Sequence, residues 1–343
     1  MIIGHGDDGY LFENEILANF SSNVYYNGFP DGMKDHLIST FDTIKNYPEA
    51  DARSLKQLLA QFHLLNQDQI LVTNGATEAF YLIAHYFRGK SVSIITPSFS
   101  EYEDACQKNN LDIHFLPWEE IHENTKFQTD VVFIGNPNNP TGAILLPENL
   151  KRMISLNSST YFVIDEAYTD FTDHPISMVH EVVHLSNLII VKSLTKTYAI
   201  PGLRLGYIIS NELLISEISV FKMPWSVNTM AIEAGKYILN NFTRNPVPIT
   251  SLLKETQELI NQLEETNCVH ICATNTNFFL CELKKGTAAD LKLFLVKEYG
   301  ILIRDASNFR GLSSKHFRIA TQTNEQNRRL IEGLKQWAIE ILK

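Results

Sequence analysis

Lys196 and Arg204 stand eight residues apart in SLTKTYAIPGLRLGY (193–207), which follows the apolar run NLIIV (187–191). A run of that composition reads as a buried strand, so both cations fall at the mouth of a hydrophobic core. A lysine amine in a desolvated, cationic setting loses its proton readily and can form a Schiff base with a carbonyl compound. Ser193 and Arg204 are suited to hold an anion beside it. Three more apolar runs end in polar groups: Gly75-Ala76-Thr77 in NGATE (74–78), Asn139 in NPNNPTG (136–142), and Asp165 with Tyr168 in DEAY (165–168). Free backbone N–H groups where Gly-Ala-Thr opens a helix favour a phosphate, although the same residues also serve as a plain turn and cap. Asp165 is costly to bury without a cation or several hydrogen bonds. A positive ring nitrogen would serve, and so would a structural salt bridge. A reactive lysine, an anion for a ring nitrogen and a phosphate site are together what pyridoxal phosphate, an electron sink, requires of a protein.

The elements that must position these groups alternate along the chain. Strand candidates are QILVTNG (69–75), SVSIITP (91–97), LDIHFLP (111–117), DVVFIGNP (130–137), TYFVIDEAY (160–168), NLIIVKSL (187–194) and LGYIIS (205–210). They are rich in β-branched residues and suit the doubly covered strands of a mostly parallel α/β sheet. The segment ATEAFYLIAHYF has helical spacing, and helices are expected near 100–109 and 147–155. Residues 212–264 read as mainly helical. Beyond them HICATNTNFFLCEL (270–283), ILIRDAS (301–307) and HFRIAT (316–321) read as strands alternating with helices over 286–298 and 324–342, a smaller α+β unit. Ligands of open α/β sheets gather beyond the carboxyl ends of the strands, where the four polar motifs lie.

The chain has 343 residues, 44% hydrophobic and 20% charged, with a net charge of −10. That balance argues against a nucleic-acid-binding surface but leaves room for cationic pockets that take small anions. No basic segment with a following apolar run opens the chain, and no apolar stretch reaches about 18 residues, so neither a signal peptide nor a membrane span is expected. Cys106, Cys268, Cys272 and Cys281 form no paired CxxC clusters, which suits a reduced, cytoplasmic protein without a metal. A metal at Cys268 and Cys272 is the minor alternative, with no second pair to complete it.

In their order and separations, NPNNPTG, DEAY and SLTKTYAIPGLRLGY resemble the fold-type-I pyridoxal-phosphate enzymes of the class I/II aminotransferase group. The resemblance implies a large cofactor domain (28–235) with a seven-stranded, mostly parallel sheet. It implies a small α+β domain (236–343) and an N-terminal segment (1–27) joining that domain to the active site. Lys196 then matches the lysine that carries the cofactor, and Asp165 the partner of its ring nitrogen. Asn139 and Tyr168 match the groups on the ring hydroxyl oxygen, and Ala76, Thr77, Ser193 and Arg204 the phosphate site. Phe99 in TPSFSEY (96–102) falls where an aromatic ring stacks on the cofactor, although it also suits a core position. Tyr47 in NYPEAD (46–51) matches a tyrosine reaching the neighbouring subunit's cofactor, which implies a homodimer.

Two branches of the group are most similar: histidinol-phosphate aminotransferase and the threonine-phosphate decarboxylase of cobalamin biosynthesis. HGDDGY (5–10), NFSSN (19–23) and MPWSVN (223–228) resemble the second. ILIRDASNFRGL followed by HFRIA supplies Arg304 and Arg318, fourteen residues apart. The resemblance makes Arg318 the partner of the substrate carboxylate, and His5, Asn23 and Arg304 candidates for a substrate phosphate. HGDDGY departs from the HGG-type continuation of that branch. The implied substrate is a phosphorylated amino acid, with decarboxylation of L-threonine O-3-phosphate favoured over transamination. Which bond at the substrate's α-carbon breaks depends on one bond rotation that no residue type reports. A non-catalytic copy of the fold would be expected to lose Lys196 or Asp165, and both are present.

Overall fold

The computed structural model describes residues 6–241 and 247–341. Its strands, in chain order, are β1 (Ala18–Asn19), β2 (Ile70–Thr73), β3 (Ser91–Thr96), β4 (Asp112–Pro117), β5 (Val131–Gly135), β6 (Tyr161–Asp165), β7 (Leu188–Ser193), β8 (Gly206–Ile209), β9 (Val269–Ile271), β10 (Phe278–Leu283), β11 (Ile301–Leu302), β12 (Arg304–Asp305) and β13 (His316–Ala320). β2 to β8 form one seven-stranded sheet in the order β2-β8-β7-β6-β5-β3-β4. β8 runs antiparallel to both neighbours and the other pairings are parallel. The mostly parallel α/β sheet expected from the sequence is therefore present, built from the seven runs assigned to it.

The near-continuous apolar strands follow from burial on both faces. Every residue of β2, β5 and β8 is buried. Successive side chains alternate between faces. Phe162 and Ile164 of β6 pack with Leu55, Leu150, Met153 and Ala231 from helices 53–63, 147–156 and 229–241. Val163 packs on the other face with Phe80, Ile83, Tyr102 and Leu214 from helices 75–86, 100–108 and 212–219. Each fully buried Ile, Val or Phe contributes roughly 1.5–3 kcal/mol relative to an exposed one. A sheet clamped in this way presents its strand ends as a rigid rim.

A second, four-stranded antiparallel sheet has the order β12-β13-β10-β9. Leu259, Leu291, Leu295, Leu330 and Leu334 cover it from helices 249–264, 288–299 and 324–341. Two details differ from the sequence reading. Residues 270–283 are not one strand. β9 and β10 are separated by a turn in which the Thr274 and Thr276 hydroxyls donate to the Phe278 carbonyl at 2.7 and 2.9 Å. Such local side-chain bonds compete with a ladder. ILIRDAS is likewise divided, with β11 parallel to β1 and β12 antiparallel to β13. The helices at 33–40 and 53–63 had no counterpart in the sequence reading.

The stretch from residue 6 to 27 runs between the two sheets. β1 pairs with β11, the Ser21 carbonyl accepts from Arg318 Nη2 at 2.5 Å, and the Tyr25 N–H donates to the Lys196 carbonyl at 3.0 Å. Among the described residues no helix is long and apolar enough to cross a membrane.

Candidate active site

The helix Gly75–Tyr86 begins directly beyond β2, and its Asn74 cap makes no side-chain bond to the first turn. Asn74 instead donates through Nδ2 to the Ser226 carbonyl at 2.9 Å. The first-turn amides, including those of Ala76 and Thr77, have no intrahelical partner and create positive potential at that end. Gly75 has φ +73°, and a Cβ there would collide with the Arg204 guanidinium. Arg204 itself is exposed, with φ +59°, and its Nη1 donates to the Pro201 carbonyl at 3.2 Å. A Cβ on Gly206 would press into the Ala76 nitrogen. Gly206 is the register partner of Ser193, whose hydroxyl lies 2.7 Å from that of Thr195. Two glycines thus let β8 and an arginine close on a helix N-terminus, leaving a cradle of free N–H groups, a hydroxyl and a guanidinium. That donor set fits a phosphate.

Lys196 follows β7 in a turn held by the Tyr25 bond and is half-buried. Desolvation lowers its pKa to about 8, with Arg318 and Arg204 adding to the shift. Asp165 ends β6 at 7% exposure, and burial raises its pKa to about 6. The Tyr102 hydroxyl donates to its Oδ2 at 2.6 Å and the Ala167 N–H to its Oδ1 at 2.9 Å. Tyr168 is buried against Phe278, ring centroids 4.9 Å apart, and burial pushes its phenol up to about 12.

Arg304 and Arg318 are register partners on β12 and β13. Directly opposed residues of an antiparallel pair share a face, and like charges there repel. Both are only 5% exposed, and burial lowers each pKa to about 10. Neither makes an ion pair with a carboxylate among the described residues. Arg318 donates to the Asn139 side-chain oxygen and the Ser21 carbonyl, and its Nε has no partner among the described residues. Arg304 donates to the Asp305 carbonyl and, at 2.8 Å, to Asn308 Oδ1. Two desolvated guanidinia side by side, neither in a direct ion pair among the described residues, are suited to anions.

A cavity of about 210 Å³ brings together Asn23, Phe99, Asn139, Tyr168, Lys196, Arg304 and Arg318. Asn23 is 1% exposed, and its amide, which faces the Tyr168 hydroxyl, makes no hydrogen bond of normal geometry among the described residues. The Phe99 ring stands edge-on to Tyr102 at 5.9 Å and is half-buried at the wall. Tyr47 is elsewhere: it is 84% exposed and packs on Trp225 at 5.4 Å in a surface groove. His5 lies outside the described residues. All four cysteines are free, and the described residues hold no cluster of three or more His, Cys, Asp or Glu placed for a metal ion.

Sequence reasoning missed several groups at this site. Tyr102 had no place in the sequence reading, although it lies in TPSFSEY three positions after Phe99. Asp7 and Phe309 also line the cavity. Arg310, beside Phe309, donates to both oxygens of Glu103 at 2.6 and 3.1 Å and lies 3.8 Å from the Phe115 ring centroid.

A sheet whose strand ends carry a desolvated lysine, a buried aspartate and a donor set suited to a phosphate points to a class, and sequence comparison agrees. The profile of aminotransferase class I and II matches residues 15–334, and the chain belongs to this pyridoxal-phosphate-dependent, fold-type-I family. Within it the chain is 32% identical over 335 residues to the threonine-phosphate decarboxylase of Salmonella typhimurium, covering 93% of this chain and 90% of that protein. The crystal structure of L-threonine-O-3-phosphate decarboxylase from Porphyromonas gingivalis superposes with a TM-score of 0.91 at 40% identity, covering 94% of this chain and 99% of that one. That of the histidinol-phosphate aminotransferase from Clostridium acetobutylicum gives 0.83 at 28% identity, covering 94% and 100%.

Proposed function

We propose that this protein is a pyridoxal-phosphate enzyme that decarboxylates L-threonine O-3-phosphate to (R)-1-amino-2-propanol O-2-phosphate and carbon dioxide, a step of cobalamin biosynthesis. The observation that carries the reading is the pair of buried guanidinia, neither in a direct ion pair among the described residues, facing one cavity with Lys196. Threonine phosphate brings two anions to it, a carboxylate and a phosphate. Histidinol phosphate, the amino donor of the second reading, brings only one, and there both arginines would be engaged together only by the dicarboxylic amino acceptor. Identity of 40% to the L-threonine-O-3-phosphate decarboxylase from Porphyromonas gingivalis, against 28% to the histidinol-phosphate aminotransferase from Clostridium acetobutylicum, supports the same choice.

The residues divide the work as follows. Ala76, Thr77, Ser193 and Arg204 hold the cofactor phosphate, joined by the partner subunit's Tyr47 in a homodimer. Asp165 keeps a negative charge at the ring nitrogen, Asn139 and Tyr168 orient the ring oxygen, and Phe99 covers a ring face. Bound pyridoxal phosphate supplies a sink for the electron pair left on the substrate's α-carbon. Arg318 fixes the carboxylate through the fork of its guanidinium. Arg304, with Asn23 and His5, holds the phosphate. Lys196 Nζ, held near neutrality by its surroundings, is placed to deliver the proton that replaces the departing carboxylate. Residues 28–235 act as the cofactor domain and 236–343 as the domain that brings the arginines, with residues 1–27 joining the latter to the active site.

The arginines separate the substrate's two ends. A hydrogen bond to a charged group contributes on the order of 1.5–3 kcal/mol. Arg304→Gln is therefore expected to lower kcat/KM for threonine phosphate at least about tenfold while affecting unphosphorylated threonine much less. Arg318→Gln weakens both, since both carry the carboxylate. Unchanged threonine-phosphate kinetics in Arg304→Gln would rule out this phosphate site.

A further inference from the structure

Asp165 has to remain an anion if it is to pair with a positive ring nitrogen, yet it lies where burial favours its neutral form. The groups facing it come from three elements. Tyr102 reaches it from the helix 100–108. Glu166 and Tyr168 follow it in the chain, and Lys196 approaches from the turn after β7. Glu166 is committed elsewhere: its carboxylate accepts from Ser177 Oγ at 2.7 Å, the Met178 N–H at 2.6 Å and Lys192 Nζ at 3.1 Å. Direct hydrogen bonds to the Asp165 carboxylate are two, from the Tyr102 hydroxyl and the Ala167 N–H, among the described residues.

The surroundings of Tyr102 make its hydroxyl a dedicated donor. The ring is 2% exposed and packed by Phe80, Phe133 and Phe99, with centroids 4.8, 5.5 and 5.9 Å away. These rings offer no competing acceptor. Burial and the adjacent carboxylate raise the phenol's pKa well above its ordinary value, so it keeps its proton at neutral pH. A tyrosine hydroxyl in an apolar wall costs free energy unless it is bonded, and here its bond goes to the carboxylate.

We propose that Tyr102 is a positioning residue for the cofactor: through its hydroxyl it holds the Asp165 carboxylate anionic and in one orientation for the ring nitrogen. One helix start then sets both Phe99, at the ring face, and the phenol that governs charge at the ring edge. The proposal rests on the cofactor reading above and applies equally to decarboxylation and transamination.

Tyr102→Phe removes one oxygen and leaves the packing ring. In the cofactor-free wild type, the Asp165 carboxyl band in infrared difference spectra, identified by its loss in Asp165→Asn, is expected to titrate at about 6. In Tyr102→Phe it is expected at higher pH, because a bond that favours the charged form has gone. Equilibrium binding of pyridoxal phosphate at neutral pH should weaken at least about tenfold in Tyr102→Phe, the loss expected for a charge-assisted bond. In an Asp165→Asn background the same change should alter binding less than about twofold, because Tyr102 acts through the carboxylate. An unmoved carboxyl titration with unchanged binding overturns the proposal. Equal loss of binding in both backgrounds also overturns it, since that marks a packing role. A wild-type protein that binds no pyridoxal phosphate sinks the cofactor reading itself and the proposal with it.

Discussion

Lys196 and Asp165 sit at the ends of neighbouring parallel strands with their pKa values moved toward each other, to about 8 and about 6. Burial drives both shifts, downward for the amine and upward for the acid. The rate at which the cofactor-free protein captures pyridoxal phosphate covalently should therefore rise as pH increases through about 8, as Lys196 loses its proton. Borohydride trapping followed by peptide mapping should place the label on Lys196, and Lys196→Ala should abolish turnover. A label on another lysine would refute the assignment. The acid gives the opposite limb. Cofactor affinity should fall as pH drops through about 6, where Asp165 gains a proton, and Asp165→Asn should flatten that limb in an equilibrium titration. Both residues were legible in the sequence because a polar group closing an apolar run is local information. Tyr102 was not, because a tyrosine on a buried helix face shows a function only once the carboxylate beside it is known.

Strand register does what residue spacing alone cannot. Arg304 and Arg318 are visible in the sequence as two arginines, but the antiparallel pairing of β12 with β13 makes them neighbours. The turn between β12 and β13 carries Arg310, whose grip on Glu103 ties it to the helix capped by Phe99. Phe309, next to Arg310, and Ser100, one turn before Glu103, both line the cavity, so the pair ties together two segments of its wall. Arg310 is 49% exposed at its side chain, so the pair is worth no more than about 1 kcal/mol. Arg310→Glu should raise KM for threonine phosphate about threefold to fivefold with little change in kcat. The exchange Glu103→Arg with Arg310→Glu should recover most of that loss, whereas a KM that stays raised in the exchanged protein would show that the ion pair does not hold the wall. The seven strands of the large sheet were legible because burial on both faces writes long apolar runs. The breaks inside 270–283 and 301–307 were not, because they depend on threonine hydroxyls turning back on the backbone and on pairing with β1, a partner nearly 300 residues away.

For the whole molecule, the surface carries a message that the active site does not. An apolar groove of about 940 Å³ is lined by Phe29, Met33, Leu37, Ile38, Phe41, Leu203 and Met230. Ile38, Phe41 and Tyr47 are 63%, 56% and 84% exposed. In the homodimer proposed above, the two chains would meet over this groove and the exposed residues beside it, and the partner subunit's Tyr47 would reach the cofactor site. Sedimentation should give a dimer. Mixed dimers of a Lys196→Ala chain and a Tyr47→Phe chain, each impaired alone, should regain activity from the one site that keeps both wild-type groups. Confirmed mixed dimers without recovery would contradict a shared site. The reaction itself is tested most directly by following the carboxyl carbon. Purified protein loaded with pyridoxal phosphate is given carboxyl-labelled L-threonine O-3-phosphate without any 2-oxo acid. Labelled carbon dioxide should appear in step with (R)-1-amino-2-propanol O-2-phosphate. Label retained in the substrate, together with amino transfer from histidinol phosphate once 2-oxoglutarate is added, would show a transaminase instead.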